Sequence, residues 1–202
     1  MNKPAHTEHD IHPLIRARWS PRAFDSRPID AGQMLSLFEA ARWSPSGGNN
    51  QPWAFVLFLA DGSEQRRQIE DALTGNNREW APRAPALILA VALPHPRVGK
   101  IGPYSYYDLG QAVAQLTIQA TSMGLFVHQM AGFEADKARQ AAALPDDCEP
   151  MVVIAIGHYG DVNSLSETLR EREAAPRVRK PISEFVFQGQ WGRPIQASAL
   201  SG

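Results

Sequence analysis

Cysteine is almost missing from this chain. Cys148 is the single thiol among 202 residues, so no internal disulfide can form, and a reducing cytoplasm is the expected setting. Long apolar runs are missing too. Stretches such as Ala86–Leu93 and Met151–Ile156 fall far short of the roughly 20 residues a membrane-spanning helix needs. The polar, histidine-rich N-terminus carries no apolar signal core. Charge of one sign is not in excess: 20 Lys and Arg against 21 Asp and Glu leave a formal net charge of -1. That excludes a general attraction to nucleic acid or to anionic membranes. Also absent are an internal repeat, a glycine-rich dinucleotide fingerprint after a strand, and a GxxxxGK(S/T) phosphate loop. Any phosphate site has to be built from side chains.

What remains is an ordinary globular composition, 44% hydrophobic and 20% charged. The length suits one domain over residues 1–202, with a loose polar arm at 1–9 and an extended segment at 176–202. The pattern predicts a short helix over Ile11–Ala17 capped by Asp10, and a longer one from Asp30 through Arg42. Gln33 completes a capping-box spacing there, and Met34, Leu35, Leu37, Phe38 and Ala41 form the apolar face. Ser44–Gln51 is a loop. Trp53–Leu59, Ala86–Ala92 and Met151–Gly157 read as strands. Ser63 caps a polar helix reaching about Leu73. Asp108 opens a helix that is apolar nearly all round and stops at Gly124, which predicts burial, in part against a partner subunit. Glu134–Ala143 and Ser164–Ala174 are further helices. Helices dominate and strands are few, so the expected class is α+β.

Two motifs carry chemistry. In Arg18-Trp19-Ser20-Pro21-Arg22, proline keeps Ser20 out of the helical region. An extended chain then points Arg18, Ser20 and Arg22 to one side. Two guanidinium groups and a hydroxyl make a clamp for a small polyanion such as a phosphate. Ser44-Pro45-Ser46-Gly47-Gly48-Asn49-Asn50-Gln51-Pro52-Trp53 is a turn-rich loop of short polar side chains that can lie close to a polar ligand. A second basic cluster, Arg177, Arg179 and Lys180, sits near the other chain end. On charge alone, each basic cluster reads equally as a solvated surface patch.

Taken together, these motifs resemble the nitroreductase family of flavin enzymes. The similarity runs on through Gly75-Asn76-Asn77, the helix ending at Gly124, Gly132-Phe133 and the late Arg-x-Arg-Lys-Pro. The resemblance implies an α+β homodimer with a mainly antiparallel central sheet, a helix-rich interface and FMN in a cleft made by both subunits. It implies that Arg18 and Ser20 hold the phosphate and ribityl chain, with Arg177 and Arg179 as further phosphate ligands. It puts Arg22 near the pyrimidine edge of the ring, as electrostatic support for charge that grows there. Pro45, Ser46 and Asn49 reach the flavin from the second subunit. Asn77 reads the ring edge, with Asn76 as an adjacent competitor. Met130, Ala131 and Gly132 pass the reactive N5 side. Two positions depart from the pattern: Trp80 stands where a second basic residue is often found, and His128-Gln129-Met130-Ala131 lacks the acidic residue some members carry beside the glycine.

The implied activity is transfer of hydride or electrons from NADH or NADPH to a small-molecule acceptor, a nitroaromatic, quinone or similar conjugated compound, by a ping-pong mechanism. No side-chain nucleophile or general acid is required, since the hydride chemistry belongs to the cofactor. Reductive dehalogenation, flavin fragmentation, non-enzymatic flavin binding and a flavin-free helical module are the rivals. No metal is expected: His6, His9 and His12 have a ligand-like spacing, but a mobile arm explains them. Cys148 is ringed by carboxylates and reads as structural. Tyr104, Tyr106 and Tyr107 read equally as substrate-mouth and packing residues. Trp80 and Trp191 read as core or interface, His128 as a satisfied core histidine, and Glu167–Lys180 mostly as wet surface.

Overall fold

The computed structural model describes residues 3–97 and 99–196. Among these the strands form one four-stranded antiparallel sheet: β1 (Trp53–Leu59), β2 (Ala86–Ala92), β3 (Phe126–Met130) and β4 (Glu149–Gly157), in the spatial order β1-β2-β4-β3. Every residue of β2 is buried, which is why Ala86–Ala92 is a continuous apolar run rather than an alternating one. Its even-numbered residues face one helical layer and its odd-numbered apolar residues the other. On the first side lie α2 (Ala31–Arg42) and α5 (Pro103–Ser122), with Leu37, Leu109 and Leu116 packed against Ile88, Ile154 and Ile156. On the second lie α3 (Glu64–Ala72), α4 (Asn77–Trp80), α6 (Ala135–Ala141) and α7 (Glu167–Ala174), with Ile69, Trp80, Ala138 and Leu169 against Leu87, Leu89 and Ala155. This is the α+β arrangement expected.

The predicted strands at 53–59 and 86–92 are found at those bounds, and the third begins two residues earlier than read. β3 was not legible, because His128 and Gln129 interrupt its apolar pattern. Several helix bounds need correction. α1 is Pro13–Ala17 rather than 11–17, and its cap is His12, whose Nδ1 accepts from the Leu14 N–H at 3.2 Å, not Asp10. Proline is favoured at the first helical position and bars the residue before it from helical geometry. α5 starts at Pro103, not Asp108, for the same reason, so Tyr104, Tyr106 and Tyr107 lie within it. Asp30 caps α2 as expected, accepting from Gly32 and Gln33, but Leu35 of the predicted apolar face is exposed. The helix expected over Glu134–Ala143 is shorter, and a 3₁₀ turn at Val162–Ser164 precedes α7.

The N-terminal segment is tied to the end of α7 and to α1. Lys3 Nζ donates to the backbone oxygens of Glu173 and Ala175, and the Ala5 N–H donates to Arg16 at 2.8 Å. The outermost residues of the expected arm and of the extended segment, 1–2 and 197–202, lie outside the described residues.

Candidate functional site

The segment Arg18–Ala23 leaves α1 in extended form. Trp19, Pro21 and Ala23 are buried, while Arg18, Ser20 and Arg22 are partly exposed. The alternation predicted from sequence is therefore present. Trp19 anchors it edge-on to Phe126 and tilted against Tyr159. The next residues are tied to the chain after β4: the Gly160 N–H donates to Ala23 at 2.9 Å and the Asp25 N–H to His158 at 3.0 Å. Arg18 Nη1 donates to Ser20 Oγ at 3.2 Å.

From the other chain end, α7 delivers Arg177 and Arg179 to the same place. Arg18, Ser20, Arg22, Arg177 and Arg179 line one cleft of about 210 Å³. Lys3, Arg172 and Glu173 are the other charged residues of its wall. Arg177 Nη1 donates to the backbone oxygens of Lys3 (2.7 Å) and Arg16 (3.0 Å), which fixes its head. Burial, then the charges of Arg177 and Arg179, hold the Arg18 guanidinium below its ordinary pKa. Arg177 is lowered likewise, by burial and then by Arg179. Glu173 faces Arg22, but Arg18, Arg177 and Arg179 crowd one another with no ion pair to a carboxylate among the described residues, and a phosphate monoester matches that donor set. The cleft is smaller than the roughly 300–1,000 Å³ that encloses a whole small ligand, so it suits the anionic tail of one.

A second group lies at the end of β3. Asn77 Nδ2 donates to the Gly132 oxygen at 3.1 Å, and the Thr74 N–H donates to the same oxygen at 3.0 Å. Asn76 is exposed and makes no cap hydrogen bond. Of the three residues expected to pass a ring, Met130 is buried in the core, Ala131 is exposed and Gly132 half-buried. Trp80 is a core residue, stacked on Phe24 and tilted on His128 with centroids 4.5 Å apart. Trp191, expected in core or interface, is 90% exposed. His128 Nδ1 lies 2.8 Å from the Pro21 oxygen. A carbonyl only accepts, so Nδ1 carries the proton. Burial pushes the His128 pKa down to about 4, the nearby Arg22 charge acting in the same direction.

The third group stands apart. Pro45 and Ser46 line a different, largely apolar cleft of about 600 Å³, with Tyr104, Tyr107 and Asp108. It shares no lining residue with the arginine cleft. The loop is closed on itself: the Gln51 N–H donates to Ser46 Oγ at 3.0 Å, and Gln51 Nε2 to the backbone and side-chain oxygens of Asn49, both at 3.1 Å. The Gly47 N–H donates to buried Asp108 at 3.0 Å. Asn49 and Gln51 both have positive φ, 55° and 49°, a strain that persists only when the surroundings enforce it.

Sequence reasoning missed Lys3, Glu173 and Asp108. Glu173 sits in a charged run read as wet surface, yet it is buried. Cys148 is a buried thiol whose pKa is raised by burial and by Asp147. Among the described residues, no group of three or more His, Cys, Asp or Glu is placed to hold a metal ion, and no helix is long and apolar enough to cross a membrane.

An antiparallel sheet between two helical layers, with a cationic cleft built from both chain ends, defines the class. Comparison with known proteins gives the family. The nitroreductase family profile matches residues 15–84. A 15.4 kDa protein from the ask 5′ region of Mycolicibacterium smegmatis is 36% identical over 136 residues, 67% of this chain and 91% of that one. A crystal structure of an oxidoreductase containing FMN has a TM-score of 0.84 at 31% identity, covering 93% of this chain and 96% of that one. An FMN and NADPH-dependent nitroreductase from Sphigopyxis sp. strain HMH shares the fold, with a TM-score of 0.69 at 21% identity over 88% of this chain and 98% of its own. The chain belongs to the nitroreductase family.

Proposed function

We propose that the protein is a cytoplasmic, homodimeric, FMN-dependent oxidoreductase that takes NADH or NADPH and a nitroaromatic, quinone or similar conjugated acceptor in turn at one site. The observation that carries this reading is the convergence of Arg18, Ser20, Arg177 and Arg179, separated by some 160 positions in sequence, on one phosphate-sized cleft. The FMN-containing oxidoreductase at 31% identity supports the choice of ligand.

Bound FMN would supply hydride acceptance and donation at its N5 position. The chain's own residues bind and orient. Arg18, Ser20, Arg177 and Arg179 grip the phosphate end, each charged hydrogen bond contributing about 1.5–3 kcal/mol, or about ten- to 150-fold in affinity. Arg22 supplies a positive charge toward the ring end. The backbone of Met130, Ala131 and Gly132 and the amide of Asn77 border the ring. Pro45, Ser46 and Asn49 serve the site of the second protomer, in keeping with their separation from the arginine cleft on one chain. No side-chain nucleophile is needed, and no metal.

The test is an absorbance spectrum of the purified protein with and without added FMN, followed by anaerobic titration with each nicotinamide. Flavin uptake and bleaching by NADH or NADPH are expected. A protein that takes up no FMN refutes the reading.

A further inference from the structure

Glu173 is a carboxylate in the wall of a cleft whose other charged members are cations. Its side chain is fully buried, although a negative charge there opposes any anion that enters. The geometry divides its two oxygens between two tasks. Oε1 accepts from the backbone N–H groups of Arg22 (3.0 Å) and Ala23 (3.2 Å). Oε2 shares the Arg22 N–H at 3.0 Å and faces the guanidinium, with Nη1 at 3.7 Å. Oε1 alone gives each of the two backbone N–H groups an acceptor. Oε2 is the oxygen whose charge faces the Arg22 guanidinium, at ion-pair distance without a hydrogen bond. A buried ion pair of this kind is weak evidence for stability in itself.

We propose that Glu173 is a positioning residue that withholds the Arg22 guanidinium from the phosphate, leaving Arg18, Arg177 and Arg179 to grip the anion. The cations fall into two sets on other grounds too. The charges that bear on Arg18 are those of Arg177 and Arg179, whereas the charge of Arg22 bears on His128; Lys3 lies between them and feels both Arg177 and Arg22. Arg22 is thus kept on the His128 side of the cleft. What it is reserved for there, support of the flavin ring, rests on the proposed function; the withholding itself does not.

Inorganic phosphate tests the withholding without any flavin. In Glu173→Gln, an amide oxygen at the Oε1 position keeps an acceptor for both backbone N–H groups, while the amide nitrogen gives up the share of the Arg22 N–H that Oε2 accepts and removes the charge that faces the guanidinium. Released Arg22 already lines the cleft, so phosphate should bind this variant about tenfold tighter than wild type. The gain should vanish in Glu173→Gln/Arg22→Ala. Equal or weaker binding by Glu173→Gln, or a gain that survives loss of Arg22, overturns the proposal. A variant-free measurement covers the case in which Glu173→Gln does not fold. Guanidinium NMR signals of wild-type Arg18 and Arg177 should move as phosphate is added while that of Arg22 stays. Movement of the Arg22 signal along the same curve also overturns it. In the FMN-loaded protein, Glu173→Gln should raise the preference for FMN over riboflavin and lower the flavin midpoint potential, which a merely structural brace would not do. If wild type binds phosphate in this pattern but takes up no FMN, the proposed function fails and the role of Glu173 stands.

Discussion

The side-chain amide of Asn77 donates to the backbone oxygen of Gly132 at 3.1 Å, and a methyl group placed on Gly132 would lie 2.8 Å from that same amide nitrogen. Gly132 is thus the residue that lets Asn77 sit where it does. In Gly132→Ala the amide has to swing away, and Thr74 Oγ1, 3.2 Å from the added carbon, has to give slightly. Both are ends of side chains, so the fold should lose only about 1 kcal/mol, the worth of one hydrogen bond. With Asn77 bordering the ring as proposed, displacing its amide should lower flavin affinity about tenfold or more. Gly132→Ala/Asn77→Ala should be no worse than either single variant. Thermal melts paired with FMN titrations check this. Wild-type flavin affinity in Gly132→Ala would remove Asn77 from the site.

Gly160 makes the opposite prediction. A methyl group there would run into the Phe24–Asp25 peptide group: the Phe24 carbonyl carbon at 2.5 Å, its oxygen at 2.6 Å and the Asp25 nitrogen at 2.6 Å. None of these can rotate away. Gly160→Ala should cost about 3 kcal/mol, the upper range for overpacking, and should loosen the Arg18–Phe24 segment from the chain after β4. Urea melts give the first quantity, and protease sensitivity near Arg22 the second. A variant as stable as wild type would mean that the segment is not held by this close approach.

The contrast between these glycines reflects what the sequence makes legible. β1 and β2 could be read because their apolar runs are bounded by turn residues, and the extended Arg18–Arg22 segment because Pro21 enforces a two-residue period that the structure reproduces. The meeting of that segment with Arg177 and Arg179 is different. It depends on how α7 packs, and only the family resemblance brought the two ends together beforehand. Glu173 was hidden for a related reason. Its burial is set by backbone N–H groups about 150 positions away, so nothing in Glu171-Arg172-Glu173 marks one carboxylate as buried and the other as solvated. The Ser44–Gln51 loop was legible as a loop, but the left-handed backbone at Asn49 and Gln51 was not.

The arginines should betray their purpose by destabilising the free protein. Arg18 is crowded by Arg177 and Arg179, so Arg179→Gln should raise the stability of the flavin-free protein, by at most about 1 kcal/mol for exposed charges. The gain should shrink in high salt as screening weakens the repulsion it relieves. With ligand bound, the sign should reverse, because an anchor has gone. Denaturation at low and high salt, with and without FMN, separates these effects. A loss of stability in the flavin-free protein would mean that Arg179 serves the fold rather than the anion.

His128 should make the protein acid-sensitive in a defined window. Its pKa in the folded protein is about 4, against an ordinary 6.5, chiefly because it is buried. Between those values the unfolded chain takes up a proton that the folded protein refuses. Above about pH 6.5 both states are neutral there, and His128 has no effect on pH dependence. As pH falls toward 4 the unfolded state gains ground, and below that value the loss is complete at about 3 kcal/mol. His128→Asn keeps an N–H for the Pro21 oxygen and removes the titration. Its stability should therefore fall less steeply than wild type between pH 6.5 and 4, while the shared carboxylates cancel in the difference. Urea melts at several pH values across that range supply the two curves. Parallel curves would mean that His128 accepts its proton in the folded protein, and the imidazole would then carry a second positive charge beside Arg22.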